Sequence, residues 1–261
     1  MSGSTPASFV AYVCNPITRE CITLPELDRW IYYRLVDSMS GGFGYVASTN
    51  EYKVVRIYTL WGEREFAQIE VYTLGSGKGW RNAGKINNDS GYIATRNAVF
   101  VNGFVYWDLG NGITGAFDLA DETFVRYSSE FANGHLWGGV LGGYFSGTLY
   151  SQDRRSSDVW LLKKKEDESL GWNKEFSLIS MDPFTKSLAL TTGGTVLCYS
   201  ESKLHLYDMK SSSSKILEDF GRSISISEAI PHINTLVSLK AFGEENSRTL
   251  GSSGSGLHTI W

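Results

Sequence analysis

Long apolar runs and a leader segment are both missing from this 261-residue sequence. No stretch approaches the roughly 20 apolar residues that a membrane-spanning helix needs. No signal peptide precedes the first predicted strand. These absences exclude a secreted or membrane-embedded protein, and they predict a soluble chain in the cytoplasm and/or the nucleus.

Positive charge is also in short supply. The chain has 24 Lys and Arg against 28 Asp and Glu, which gives a formal net charge of −4. General nucleic-acid binders neutralise phosphates with a basic face. The one basic run, residues 163–165, is followed directly by three acidic residues and is interpreted as a solvated hairpin tip, with a phosphate or acidic-partner patch as the alternative. Nucleic acid is therefore not an expected partner.

Metal and catalytic motifs are scarce. The four histidines are scattered, and none has a second ligand two to four residues away as zinc sites use. Cys14, Cys21 and Cys198 form no CxxC pair, and we expect three buried, reduced thiols. No G-x-S-x-G motif occurs, and residues 74–79 lack the spacing of a phosphate loop. The sequence thus predicts no catalytic residue, no metal and no cofactor.

Glycine is abundant, with 28 residues against five prolines. It also begins a repeated sequence motif of two strands, named the glycine-led phrase. A glycine-led aromatic strand pair begins at Gly103, Gly147 and Gly194, spaced 44 and 47 residues apart. This spacing fits the period of propeller blades, about 40–50 residues. The phrase predicts an all-β fold, a Kelch-like β-propeller built of short antiparallel blades. Four of its aromatic residues are expected to pack between blades: Trp107, Phe117, Trp160 and Tyr207.

Several elements outside the repeat are also predicted. Residues 9–13 and 20–24 are predicted to be paired strands around an Asn-Pro turn. Residues 26–38 have near-helical apolar spacing, which allows a short helix or an ordered connection. Residues 232–239 are predicted to form a last strand.

One domain is expected over residues 1–250. Residues 251–261 have the composition of a Gly/Ser linker followed by a short C-terminal tail. This tail is interpreted either as an engineered or borrowed strand that docks on the propeller, or as a frayed end.

The order of several short motifs resembles the plant F-box-associated interaction domain. These motifs are residues 13–25 (VCNPITRECITLP), 42–45 with 50–56, 71–75 with 80–81, 101–107 with 116–119, 158–162 and 231–239. The resemblance covers about residues 9–240. It implies a Kelch-like propeller that serves as the substrate-recognition half of an F-box protein in an SCF-type E3 ubiquitin ligase, binding a protein substrate without catalysis.

The resemblance also implies that one part of such a protein is missing. The family carries an F-box before this domain, whereas here Met1 stands only 13 residues before Cys14. The SCF adaptor and cullin are therefore expected as partners only through an F-box absent from this chain.

Binding residues are expected in the loops outside the repeated motif. Propellers bind partners on the loops between strands, and Trp, Tyr and Arg dominate recognition surfaces. The candidates on inferred loops are Trp30, Tyr33, Arg34, Trp61, Arg64, Trp137, Arg154 and Arg155. Two alternatives stay open: a carbohydrate-binding or enzymatic β-propeller, and a truncated decoy that lacks the F-box and binds substrate without ubiquitination.

Overall fold

The fold is all-β, a five-bladed propeller of short antiparallel sheets, and the predicted fold class is confirmed. The computed structural model describes residues 11–27, 36–88, 98–128, 137–151, 156–166, 169–179, 185–221, 224–230 and 234–249. No helix in these ranges is long and apolar enough to cross a membrane. The chain forms two compact units: Met1–Asn97 with Leu119–Glu122 and Ile233–Trp261, and Ala98–Asp118 with Thr123–His232.

The first unit contains two of the sheets. Its three-stranded sheet has the order β1 (Tyr12–Cys14), β2 (Glu20–Thr23) and β19 (Arg248–Thr249), so a strand near the C-terminus pairs with an N-terminal hairpin. Its four-stranded sheet is a meander of β3 (Val36–Val46), β4 (Glu51–Leu60), β5 (Phe66–Thr73) and β6 (Trp80–Asn87).

The second unit contains three four-stranded antiparallel meanders. The first consists of β7 (Val99–Val101), β8 (Phe104–Asp108), β9 (Ile113–Asp118) and β10 (Phe124–Ser128). The second consists of β11 (Trp137–Leu141), β12 (Tyr144–Ser151), β13 (Ser156–Lys164) and β14 (Leu170–Ile179). The third consists of β15 (Lys186–Leu190), β16 (Thr195–Tyr199), β17 (Lys203–Asp208) and β18 (Ser213–Asp219).

The repeated phrase falls on the second and third strands of these three meanders. Gly103 and Gly194 lie in the turns before those strands, with φ of 88° and 77° that glycine adopts without strain. Gly147 differs, because it lies inside β12 opposite Trp160. Gly143, with φ of 81°, takes the turn position there. The phrase therefore identified the sheets but misplaced one of its three glycines.

Apolar side chains on alternate strand positions build the cores of each unit. Phe117, Tyr207 and Trp107 are almost fully buried, whereas Trp160 is only half-buried because its neighbour Val159 faces the core. One core cluster of the first unit is Val13, Ile22, Leu24, Val54, Tyr72, Leu74 and Leu239. Two clusters of the second unit are Leu141, Val159, Leu161, Leu178, Val196, Cys198 and Tyr207, and Val101, Tyr106, Ala116, Phe145 and Leu162.

The predicted N-terminal hairpin is present, but the expected state of its cysteines is wrong. Antiparallel pairing of β1 with β2 places Cys14 directly opposite Cys21, and the two form a disulfide with a Cα–Cα distance of 4.2 Å. Cys198 is a buried free thiol, as predicted. Burial raises the pKa of that thiol to about 12, so it is not a reactive nucleophile near neutral pH.

The predicted last strand, residues 232–239, is wrong over its described part, 234–239, which joins no ladder. Side chains of the N-terminal hairpin, and not a neighbouring strand, form hydrogen bonds with the main chain of this segment. The Asn15 amide donates to two main-chain carbonyls of this segment at 3.0 and 2.8 Å, and the Glu20 carboxylate accepts the main-chain N–H of Leu239 at 2.7 Å. A single 3₁₀ turn, Lys240–Phe242, follows.

Two further predictions fall largely on residues that the structure does not describe. Of the possible helix at residues 26–38, the last three residues open β3, and residues 28–35 lie outside the described ranges. The Gly/Ser linker and tail at 251–261 also lie outside them. The single domain over residues 1–250 stays a prediction.

Candidate interaction surface

The loop between β4 and β5 presents the most exposed tryptophan of the described residues. This loop, residues 61–65, is named the WGERE loop after its sequence, and Trp61 in it is 57% exposed. Two turn hydrogen bonds shape it, from Glu63 N to Leu60 O and from Phe66 N to Glu63 O, both 3.0 Å. Asn88, buried at the end of β6, donates to the carbonyls of residues 64 and 65 at 2.9 and 2.6 Å. The loop backbone is therefore fixed by its own sheet.

Arg64 connects this loop to β3. Its guanidinium lies 4.2 Å from the centroid of the Trp61 ring, close enough for a cation–π contact. The same guanidinium holds the Asp37 carboxylate through two nitrogens, Nε at 2.7 Å and Nη2 at 2.8 Å. This fork geometry fixes the guanidinium plane, so Arg64 supports the indole from one side.

A second charged pair lies on the same loop. Lys85 Nζ is 3.1 Å from Glu63 Oε2 and 4.1 Å from the centroid of the Phe66 ring. Glu65 is exposed, and no ion pair or side-chain hydrogen bond joins it to any other described residue. The described residues of the loop thus take part in two ion pairs, and the Glu65 carboxylate adds one further negative charge.

Trp137, at the start of β11, belongs to a different cluster in the second unit. Lys186 Nζ lies 4.6 Å from the centroid of the Trp137 ring and 5.5 Å from that of Tyr199. The same ammonium donates to Ser227 O at 3.2 Å. Lys186 is thereby held between two aromatic rings.

The structure brings together only part of the predicted binding set. Trp61 and Arg64 are in direct contact, and Trp137 is half-buried in the other unit. The remaining candidates, Trp30, Tyr33, Arg34, Arg154 and Arg155, lie outside the described residues. Sequence reasoning missed Asp37, Lys85 and Lys186, because each partners a residue more than 15 positions away that only the folded chain brings close.

A buried charged cluster in the first unit serves structure. Lys53 Nζ, almost fully buried on β4, donates to Leu119 O at 2.7 Å and to Glu122 Oε1 at 2.8 Å. Arg81 donates to both carboxylate oxygens of Glu122. The hydrogen bonds from Arg81, followed by those of Lys53, lower the pKa of Glu122, which keeps it charged. Glu122 lies in the connection between β9 and β10, with φ of 56° in the left-handed region.

The chemistry available on the described residues is that of recognition contacts. Within these ranges, no group of three or more His, Cys, Asp or Glu side chains is placed to hold a metal ion. The WGERE loop offers an aromatic face, hydrogen-bond donors and the exposed Glu65 carboxylate, which are groups that protein interfaces use.

Two curated Arabidopsis thaliana proteins are similar to this chain. The chain is 26% identical over 176 residues to an F-box protein of Arabidopsis thaliana, covering 64% of this chain and 43% of the relative. It is 27% identical over 180 residues to an Arabidopsis F-box/kelch-repeat protein, covering 64% and 47%. The matches therefore span less than half the length of these curated relatives.

Among solved structures, virginiamycin B lyase of Staphylococcus aureus matches with a TM-score of 0.40 at 7% identity. The match covers 70% of this chain and 56% of that chain. A likeness of this size says nothing about activity. By contrast, a family described as the F-box associated beta propeller domain matches residues 3–215, most of the chain. The chain belongs to the F-box associated β-propeller domain family.

Proposed function

We propose that this chain is the substrate-recognition module of an F-box protein that acts in an SCF-type E3 ubiquitin ligase. The observation that carries the proposal is the family match over residues 3–215, reinforced by two relatives that are themselves F-box proteins. In this role the propeller binds the protein to be modified.

The WGERE loop supports a protein-binding role. A Trp and an Arg in contact, held by a fixed backbone, resemble the anchors that contribute most to protein interfaces. Because the loop is already ordered, little conformational entropy is lost on binding. Trp61 and Arg64 are therefore the first candidates for substrate contact, with Trp137 next. The roles of Trp30, Tyr33, Arg34, Arg154 and Arg155 remain predictions.

The proposal assigns no catalytic step to this chain. The ligase would perform the ubiquitin transfer. An F-box segment would connect the substrate-binding chain to the adaptor and cullin. A location in the cytoplasm and/or nucleus, where such ligases and their substrates meet, is part of the same proposal.

The test joins the chain to an F-box. The F-box segment of one of the Arabidopsis relatives is fused to its N-terminus, and the fusion is expressed in Arabidopsis protoplasts under proteasome inhibition. Ubiquitin-modified peptides are quantified against cells expressing the F-box segment alone. We expect one or a few proteins to gain ubiquitin only with the fusion, and to be recovered with it.

The control is the recovery of cullin and adaptor with both proteins. A fusion that recovers cullin yet modifies no protein beyond the F-box segment alone would contradict the proposed role.

A further inference from the structure

Part of the Trp61 ring is open to solvent. One face of the indole is covered by the Arg64 guanidinium at 4.2 Å, yet the residue is still 57% exposed. The exposed area therefore lies on the opposite face and the ring edge. An aromatic face in water attracts cations and apolar groups.

The charges near this ring favour a cation over an apolar group. Asp37 and Arg64 form one ion pair, and Glu63 and Lys85 form another. Glu65 is the fifth ionisable group, and it adds a negative charge without a described partner. The five groups sum to one net negative charge. An incoming cation therefore meets the Glu65 carboxylate, which pairs with no other described residue, while an incoming anion meets cations that are already neutralised.

The loop is also ready to bind without rearrangement. Asn88 holds the carbonyls of residues 64 and 65, and Asp37 fixes Arg64 from β3. A rigid aromatic anchor loses little entropy when a partner is seated on it. These contacts distinguish Trp61 from an exposed apolar residue on a loose loop.

We infer that the WGERE loop binds a basic segment of the protein substrate, with a lysine or arginine side chain seated on the open face of Trp61 and paired with Glu65. The inference rests on the proposed function, because it names the partner chemistry of the same surface. Arg64 supports the indole from its other face.

An array of synthetic dodecapeptides provides the probe, with equal numbers of Lys/Arg-containing, Asp/Glu-containing and uncharged members. Binding of the fluorescently labelled full chain is compared with that of Trp61→Ala and Glu65→Gln. The matched controls are Leu236→Ala, which truncates an apolar side chain that is 81% exposed, and Glu218→Gln, which neutralises an exposed carboxylate on β18. Thermal unfolding establishes that every variant is folded.

We expect the wild-type chain to favour the basic peptides. Trp61→Ala should weaken their binding about tenfold and Glu65→Gln about threefold, in the range of anchor residues and ion pairs at interfaces. Both controls should bind as the wild type does. Raising the salt to about 0.5 M should weaken the wild type more than Glu65→Gln, because salt screens the ion pair.

Several results would overturn the inference. These are a preference for acidic or uncharged peptides, no preference at all, or equal binding of basic peptides by Trp61→Ala. A dimer in light scattering that Trp61→Ala dissolves would assign the surface to a second copy of this chain.

The two proposals can fail separately. If the F-box fusion modifies a protein while the array shows no basic preference, only the partner chemistry is wrong. If basic peptides bind through Trp61 while the fusion modifies nothing, the binding surface stands and the ligase role fails.

Discussion

At the scale of single residues, Gly75 shows how closely residues 242–244 approach the loop between β5 and β6 within the first unit. It lies in the loop between β5 and β6 with φ of 71°, and a Cβ there would stand 1.4 Å from Phe242 O. Its main-chain N–H donates to Glu244 Oε1 at 2.8 Å. Glycine is needed here for space as well as for backbone conformation.

Gly75→Ala should therefore lower the free energy of unfolding by about 3 kcal/mol, combining left-handed strain with the collision. Gly77→Ala is the matched control, because Gly77 has φ of 66° in the same loop and nothing within 4 Å of an added Cβ. It should lose only about 1 kcal/mol from backbone strain. Urea unfolding measures both, and equal losses would contradict the close approach to Phe242.

Glu122 forms a largely buried ion pair. Its side chain is 20% exposed and pairs with Lys53, whose side chain is 6% exposed. Removing the carboxylate leaves the buried Lys53 ammonium without its 2.8 Å ion-pair partner, with the Glu51 carboxylate only at 4.0 Å. This is more damaging than losing a surface pair.

Glu122→Gln should lower stability at pH 7 by about 2–3 kcal/mol, whereas Glu63→Gln, in the exposed pair with Lys85, should lower it by less than about 1 kcal/mol. The folded pKa of Glu122 lies below its ordinary value of 4.5. Its contribution is therefore complete above pH 4.5 and is lost as the pH falls through the folded pKa. Thermal unfolding from pH 7 to pH 3.5 should show the gap between wild type and Glu122→Gln narrowing only in the acid range. A gap that stays constant would contradict the assignment.

At the scale of elements, the β1–β2 hairpin holds the C-terminal segment in place. Asn15 uses its whole carboxamide: Oδ1 accepts the main-chain N–H of Ile17 at 2.9 Å, and Nδ2 donates to Thr235 O and Val237 O. β19 then pairs with β2 opposite Cys21. Residues 234–249 thus depend on a hairpin more than 200 residues earlier.

Asn15→Asp should release residues 234–239, because a carboxylate cannot donate to the two carbonyls. We expect a loss of about 2 kcal/mol and faster hydrogen exchange confined to that segment. Asn82→Asp is the control, since the exposed Asn82 side chain only accepts, from Gly84 N at 2.7 Å, and Asp can do the same. If exchange in residues 234–239 is unchanged in Asn15→Asp, the segment is held by other contacts.

The hairpin disulfide gives a prediction that needs no substitution. In denaturant without reductant, thiol titration should detect one thiol per chain, that of Cys198, and three after reduction. Cys14→Ala should free Cys21 and lower stability by about 2 kcal/mol, as expected for a short closed loop. Three reactive thiols before reduction would show that Cys14 and Cys21 are not joined.

The same hairpin shows what the sequence could and could not predict. Strand alternation and the Asn-Pro turn predicted both strands, and their register would have placed Cys14 against Cys21. The prediction of free thiols relied instead on the missing CxxC pattern, which ignores cross-strand pairing. The last strand failed for a related reason: residues 234–239 look like a strand, but their hydrogen bonds go to the side chains of Asn15 and Glu20.

At the scale of the whole molecule, the glycine-led phrase and the order of short motifs were enough to predict the fold class and the family. Both rest on local sequence patterns, a repeated one for the fold and an ordered set of different motifs for the family. The candidate surface was only half visible. Trp61 and Arg64 are close in sequence, whereas Asp37 and Lys85 reach the loop from other strands and Asn88 follows the end of β6. Long-range charge pairing leaves no local signature.

The central claim is that this chain selects a protein for ubiquitination. The most direct measurement is the half-life of a protein captured by the chain, followed by pulse-chase in cells that express the chain alone or the F-box fusion. We expect the fusion to shorten the half-life, proteasome inhibition to restore it, and the chain alone to leave it unchanged. An equal half-life in both, with cullin still recovered by the fusion, would contradict it.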